Sequence, residues 1–382
     1  MYKILHVISS CDPKTGGPIE GVKQFYKIYK KLKIEINILT NDDPKDKFLN
    51  DKNLPKVFAT GPLPFIYKKL NNLNPNLYNW LNNNIMNYDV VIVDGIWQFH
   101  NYAVYKTAKK FNIPYFVFPH GMLDPWFNEN YFFKKIKKIV YWNLIQHRVL
   151  QNAKKVLFTT KIESELAKKS FQPYQINCSV LGYGIEGNPF LKSKKNLFFK
   201  KFKKLEKKRI LLYLGRITEK KGLDLLINAF NSIREKGMHL VIAGNSNNRY
   251  AKKLKTLINN LKINKFVTWT GPIYNKLKWD AFKAANLFCL SSHQENFGIS
   301  IVEALSSGTP VLITSKINIY KIIKKYRCGY INNDDLKGTI KSLNEWKANK
   351  DKNLYKKSID CFNKNFQIEN TVNKLIKILH EK

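Results

Sequence analysis

Two carboxylates eight positions apart, Glu295 and Glu303, are the sharpest chemical signal in the chain, in the run SSHQENFGISIVEALSSGTPVLIT. An apolar strand, Leu287–Leu290, leads into a loop of Glu295, Asn296, Phe297 and Gly298. A helix is expected from about Ile299, carrying Glu303, followed by a strand at Pro310–Thr314. Gly298 at the helix entry lets backbone approach a ligand closely. The free N–H groups and positive dipole end of such a helix suit a phosphate. One carboxylate just before the helix and another about two turns inside it reach two parts of one elongated polar ligand. Both accept charge-assisted hydrogen bonds from hydroxyls. The competing reading is one surface Glu and one capping Glu. The glycines and the strand–loop–helix–strand setting, with Gly308-Thr309-Pro310 after it, favour the functional one.

A second constellation is GRITEKKG, residues 215–222, at the end of an apolar run Ile210–Leu214. Parallel sheets bind ligands at the carboxyl ends of their strands. Arg216 offers a planar fork for phosphate oxygens and Lys221 a point charge. Together they can neutralise a diphosphate leaving group as its charge develops. Lys220 reads as a solvated neighbour. Three further strand ends carry candidates. His120, in PHGMLDPW after Tyr115–Phe118, can hydrogen-bond a sugar hydroxyl or a phosphate. Gly16 and Gly17, in KTGGP after the first strand, form a turn into a helix, but the pattern is not GxGxxG. Asp94 and Trp97, after Val90–Val93, are placed to touch an acceptor, with a capping Asp and a core Trp as the equal alternative. His293, beside the Glu295 loop, is a weaker candidate.

The segment from Glu295 to Thr314 resembles the E-x7-E signature of retaining glycosyltransferases of family 4, which have the GT-B fold. That resemblance assigns Glu295 to donor-sugar hydroxyls and Glu303 to the nucleotide ribose. It assigns the Asn296-Phe297-Gly298 backbone to the donor sugar and phosphates, and Arg216 with Lys221 to the diphosphate. HGMLDPW is similar to the His-Gly loop of family members that build bacterial surface polysaccharides, which makes His120 a sugar contact. The Gly16-Gly17 loop would approach the donor phosphates and the acceptor. Lys14-Thr15-Gly16-Gly17 also resembles glycogen synthases, which generally lack the second Glu kept here as Glu303. The loop Ala243–Asn248 departs from the family in lacking its second glycine, so the base contact is placed instead on backbone near Ile273.

The resemblance implies metal-independent transfer with retention, from a UDP- or GDP-linked sugar to a hydroxyl of a glycan or polyprenyl-diphosphate-linked acceptor. The leaving diphosphate would help accept the proton in a front-face attack, with no other cofactor. Surface-polysaccharide assembly (O-antigen, capsule or exopolysaccharide) is the implied setting. A glycogen- or sucrose-synthase-like glucosyltransferase is the enzyme alternative. A basic nucleic-acid-binding or scaffold protein on a degenerate fold is the non-enzyme one.

The elements that must position these residues recur along the chain. Strands are expected at Lys3–Ser9, Ile34–Thr40, Val90–Val93, Tyr115–Phe118 and Val156–Thr160, with a helix at about Ile19–Lys33. The series restarts at Ile210–Leu214, a helix around Leu223–Ile233, then Leu240–Ala243, Phe266–Trp269, Leu287–Leu290 and Pro310–Thr314. Continuous Val, Ile, Leu and Phe runs are what a parallel sheet covered on both faces requires. At 382 residues, two domains are expected. The fold class is α/β: two Rossmann-like doubly wound domains facing a central cleft. Residues 1–190 would bind the acceptor and 191–353 the nucleotide-sugar, with 354–382 a C-terminal helix packing back on the N-terminal domain.

A net charge of +38, from 66 Lys+Arg against 28 Asp+Glu, suits anionic partners. Abundant Lys, Asn and Ile also fit compositional drift, and no nucleic-acid motif accompanies the charge, so nucleic acid is not an expected partner. Tyr131–Lys155 interleaves aromatics with Lys, and Phe132, Ile136, Ile139, Val140 and Asn143 follow helical spacing. This reads either as a core-packing helix with a solvated Lys face or as a basic amphipathic helix at an anionic membrane. Five scattered Cys with no CxxC spacing fit a reducing cytoplasm and no zinc site. MYKILHVISS reads as a strand rather than a signal peptide. The expected location is cytoplasmic, peripheral on the inner face of the cell membrane.

Overall fold

The computed structural model describes residues 2–126 and 132–381. The chain divides into two compact units, Met1–Gly184 with Ile368–Lys382, and Ile185–Gln367.

The first unit is built on seven parallel strands: β1 (Lys3–Ile8), β2 (Glu35–Thr40), β3 (Lys56–Ala59), β4 (Val90–Asp94), β5 (Tyr115–Phe118), β6 (Lys155–Phe158) and β7 (Cys178–Val180), in the order β3-β2-β1-β4-β5-β6-β7. Successive residues of a strand point to opposite faces, and both faces are covered. Leu5, Val7, Val91, Val93 and Val117 pack on one side. Ile4, Ile8, Ile92, Phe116 and Leu157 pack on the other. This double burial is why the strands read as unbroken apolar runs.

The second unit repeats the plan with β8 (Arg209–Leu214), β9 (Met238–Ala243), β10 (Val267–Trp269), β11 (Leu287–Leu290), β12 (Val311–Thr314) and β13 (Gly329–Asn332), in the order β10-β9-β8-β11-β12-β13. In each sheet the strand order reverses beside the first strand, at β1/β4 and at β8/β11. The crevice outside the carboxyl ends at such a reversal is where doubly wound sheets take ligands.

Three strands were not expected from sequence: β3, β7 and β13. All three are edge strands, four residues or fewer, and only partly covered, so they lack a continuous apolar run. The unit boundary falls between Gly184 and Ile185 rather than at 190/191. The basic stretch 192–208 is part of the second unit: Asn196 caps a short helix, Leu197–Lys201, and the Leu197 N–H donates to Asp280 Oδ2 at 2.8 Å. The segment 354–382 is two helices, not one. Leu354–Asn365 stays with the second unit, and Ile368–His380 packs on the helix Gly17–Lys31 of the first.

Candidate active-site residues of the two units

In the second unit, the loops after β8 and β11 are locked together by backbone. Gly222 has φ of 59°, and a Cβ there would lie 2.0 Å from the Ser291 carbonyl oxygen. Only glycine permits that approach. The His293 N–H donates to the Lys220 carbonyl at 2.9 Å, a second tie between the same loops. Tyr213 Oη donates to the Arg216 carbonyl at 2.7 Å, fixing the turn from which the exposed Arg216 side chain projects. A Cβ on Gly244 would come within 2.2 Å of the Gly215 carbonyl, and the Gly244 N–H donates to the Gly271 carbonyl at 3.1 Å. The loops after β8, β9 and β10 therefore stack along one sheet edge. Ile273, beyond Gly271, is buried.

This locking brings Lys221 and Glu295 together as an ion pair between Nζ and Oε2. Burial drives the Lys221 ammonium down to about 7, and the like charges of Lys220 and Arg216 push the same way. The Glu295 carboxylate stands against that push. Glu295 is held by its own backbone: its N–H donates to the Lys316 carbonyl at 3.2 Å and its carbonyl accepts from the Asn318 N–H at 3.1 Å. Asn318 Nδ2 also donates to Asn296 Oδ1 at 3.2 Å. Phe297 is buried edge-on to Phe366, with ring centroids 5.7 Å apart.

Gly298, at φ of 77°, opens the helix Ile299–Ser306 and supplies no side-chain cap. First-turn N–H groups without a cap are ready anion donors. Glu303 lies about one and a half turns on, and its Oε1 pairs with Lys278 Nζ at 2.6 Å, from the helix Asn275–Ala284. Sequence reasoning missed Lys278 and Asn318. In a chain this rich in Lys and Asn, neither stands out. His293 pairs with Asp334, Nδ1 to Oδ2 at 3.1 Å.

In the first unit, Asp94 at the end of β4 is buried, and both carboxylate oxygens meet imidazoles. Its Oδ2 lies 2.7 Å from His6 Nδ1 and its Oδ1 lies 2.9 Å from His120 Nε2. Burial raises the Asp94 carboxyl, but His6 and His120 outweigh it and hold the group at about 2. His120 has φ of 49°, and its ring stacks on Phe118 at 5.2 Å between centroids. Asp94 is thus the partner that orients His120.

The next residue, Gly121, donates its N–H to Glu163 Oε1 at 2.7 Å. Glu163 Oε2 accepts from the Thr159 N–H at 2.7 Å and from its hydroxyl at 2.5 Å. His6 and Glu163 were not singled out from sequence. The usable signal for His6 was a lone polar side chain inside an apolar strand. Glu163 gave none. Gly16, at φ of 96°, precedes the helix that Gly17 starts, and Asp12 caps the turn Pro13–Thr15 before it. Trp97 sits against Trp142 and Phe171, and its Nε1 donates to the Met122 carbonyl at 3.2 Å. It packs half-buried against the core, close to the alternative the sequence had left open.

The helix Phe132–Tyr141 leaves Ile136, Ile139 and Val140 exposed, together with Leu144 in the following turn. Lys135 and Lys137 beside them are exposed as well. The core-packing reading of this stretch therefore fails for those positions. The side chain of Phe132 lies outside the described residues. Among the described residues, no helix is long and apolar enough to cross a membrane.

Residues 194–359, within the second unit, match the family of glycosyl transferases group 1. The whole chain shares its fold with GT-B glycosyltransferases of known structure. HepE of Anabaena, solved in complex with UDP and glucose, superposes with a TM-score of 0.77 at 16% identity, over 99% of both chains. Sucrose-phosphate synthase of Thermosynechococcus elongatus gives 0.81 at 18% identity, over 99% of this chain and 98% of that one. In sequence, the chain is 32% identical over 123 residues to mannosylfructose-phosphate synthase of Agrobacterium fabrum, covering 30% of this chain and 27% of that one. It is 32% identical over 136 residues to alpha-monoglucosyldiacylglycerol synthase of Streptococcus pneumoniae, covering 35% and 30%. The matched segment spans under a third of the length of these curated relatives.

Proposed function

We propose that this chain is a retaining, metal-independent glycosyltransferase that moves a sugar from a nucleotide-sugar to a hydroxyl of a glycan or lipid-linked acceptor. The observation that carries the reading is the locked pair of loops after β8 and β11, with Gly222 against the Ser291 carbonyl and Lys221 on Glu295. It sets two cations and an uncapped helix N-terminus on one edge of a parallel sheet, which suits a diphosphate. Arg216 and Lys221 bind its oxygens and stabilise the charge that develops on departure. Glu295 accepts from donor-sugar hydroxyls and Glu303, steadied by Lys278, from the ribose. The Asn296-Phe297-Gly298 backbone lines the sugar and phosphates, and backbone near Ile273 meets the base. His120, oriented by Asp94, contacts a sugar hydroxyl, and the Gly16-Gly17 loop lies on the acceptor side. The departing diphosphate takes the acceptor's proton, so the reading calls on no protein nucleophile.

HepE, whose fold this chain shares and which was solved in complex with UDP-glucose as well as with UDP and glucose, supports a UDP-linked donor over a GDP-linked one. WaaG, another structural neighbour, is involved in lipopolysaccharide biosynthesis, which supports a role in surface-polysaccharide assembly. The exposed Ile136, Ile139, Val140 and Leu144 between lysines support docking on an anionic membrane surface, each nearby cation adding about 1 kcal/mol. Vesicle co-sedimentation checks this: binding to anionic but not neutral vesicles, weakened by salt, is expected. A melting-temperature screen with UDP, GDP, ADP and their sugars tests the donor assignment, because a ligand of the folded state raises stability by mass action. No shift with any nucleotide would remove it. Retention is read from the anomeric configuration of the product by NMR, and metal independence from activity unchanged by EDTA.

A further inference from the structure

The sheet of the second unit ends at β13, which has β12 on one side and no strand on the other. On the β12 side, the Val311 and Ser315 N–H groups donate to the Cys328 and Asn332 carbonyls, at 3.2 and 2.9 Å. In a parallel ladder alternate residues bond to one neighbour. Gly329 and Ile331, out of phase with Cys328 and Asn332, therefore aim their N–H and C=O groups at the open edge. Among the described residues, none of these four groups is bonded elsewhere.

Two helices flank this edge from opposite faces. Toward the helix Leu336–Ala348, Asn332 Nδ2 donates to Ser342 Oγ at 2.9 Å, and the Tyr330 hydroxyl accepts from Asn349 Nδ2 at 2.7 Å. Gly329 faces the helix Tyr320–Tyr326, where a Cβ would lie 2.9 Å from Ile323 Cγ2. Between the helices lies an open groove of about 960 Å³ that takes in all four residues of β13.

Its charges are lopsided. Lys324 and Lys325, with Arg327 just after their helix, line one wall, exposed and outside any ion pair among the described residues. Lys357, also in the lining, is paired with Asp351. Glu345 stands on the opposite wall, from the helix Leu336–Ala348.

These observations select an occupant. A row of unpaired edge groups is a template for another strand, which a small anion or a lipid cannot complete. A second copy of this chain would bring a net charge of +38 against its like, and lysines at an edge oppose such self-pairing. An extended acidic segment meets the backbone groups and the cations together.

We propose that the free edge of β13 docks an extended acidic peptide of a partner protein as a further strand of the second sheet, its carboxylates facing Lys324, Lys325 and Arg327. Side chains of an added strand alternate between the two walls. Acidic residues two apart therefore meet the cations, and those between them, which face Glu345, are neutral or basic. The groove lies away from the loops after β8 and β11, so the inference does not depend on the glycosyltransferase reading.

The test is fluorescence anisotropy of labelled hexapeptides with the full chain, at about 0.15 M salt, where surface charges are screened beyond roughly 8 Å. The probe alternates Glu and Thr. The controls are the same residues as a Glu block followed by a Thr block, the alternating peptide with every backbone nitrogen methylated, and an alternation of Lys and Thr. One variant, Lys324→Glu with Lys325→Glu, reverses the charged wall. The other, Ile331→Pro, removes an outward N–H at an edge position, where proline is tolerated. Both are checked for a wild-type melting temperature; should Ile331→Pro not fold, the charge reversal and the methylated peptide still decide. Binding of the alternating acidic peptide is expected, at least tenfold weaker to either variant and for each control. No binding of that peptide overturns the proposal. Equal binding of the methylated peptide shows attraction by charge alone and also overturns it. So does a wild-type chain that light scattering finds dimeric and a monomeric Ile331→Pro, since a second copy then occupies the edge.

Discussion

The carboxylate of Glu163 accepts the backbone N–H of Gly121 at 2.7 Å, so a buried acid at the start of one helix fixes the loop that presents His120. Three donors converge on this group, and Glu163→Ala removes the acceptor they share. At about 1–3 kcal/mol each, the loss is about 3 kcal/mol or more. For a unit of this size, that lowers the melting temperature by roughly 6–12 °C. Calorimetry checks it, and Glu163→Gln, which keeps an acceptor oxygen, is expected to fall between the two.

Arg216 and Glu303 serve different stages in the proposed reaction. Arg216→Ala is expected to lower turnover by roughly ten- to a thousand-fold, as loss of a charge-stabilising donor does. Glu303→Ala is expected to act mainly on nucleotide affinity. Steady-state kinetics with the donor identified by the melting screen separate the two effects. Wild-type values in both variants would overturn the assignment.

In the proposed site, Lys221, pushed down to about 7 by burial and by Lys220 and Arg216 with the paired Glu295 carboxylate opposing them, would bind a diphosphate as a cation. Below pH 7 the cation is already present in the free protein. Above it, each unit of pH adds the cost of protonating the amine, up to tenfold in affinity per unit. UDP affinity is therefore expected to fall from pH 7 toward pH 9, with proton uptake on binding. Calorimetric titration in HEPES and in Tris, which differ in ionisation enthalpy, measures that uptake. Lys221→Met should abolish it.

Gly222→Ala forces a Cβ toward the Ser291 carbonyl at a position of φ 59°. The loops after β8 and β11 must then separate, which is expected to cost about 1–3 kcal/mol, the range for a strained backbone. UDP binding should suffer more than the global fold. A small melting change with a lost UDP shift is the expected pair of results; an undisturbed UDP shift would show that the loop contact does not shape the site.

The strands were legible in sequence because doubly buried strands are apolar throughout, and the loops after β8 and β11 because glycines and charged residues cluster at those strand ends. Glu295, Glu303, Arg216 and Lys221 all fall on loops or the helix at the β8/β11 reversal. What escaped is of two kinds. Edge strands such as β3 and β13 carry no periodic signal, since one side is uncovered. The groups that support the site residues, Glu163 beneath Gly121 and His6 beneath Asp94, come from distant stretches of chain. Nothing local marks which strand will lie beside which. The same holds for Asp94, whose position was plain but whose two imidazole partners were not.

The helix Ile368–His380 has a consequence for the order in which the molecule can be built. Its Ile368, Val372 and Leu375 complete the apolar layer formed by Ile4, Ile19, Val22 and Phe25. The first unit is thus finished by residues that leave the ribosome only after the whole second unit has been synthesised. Until then one flank of the β1 sheet is uncovered, and the nascent chain must be kept from self-association. A released chain that stopped before residue 368 would carry the second unit entire and the first without its covering helix.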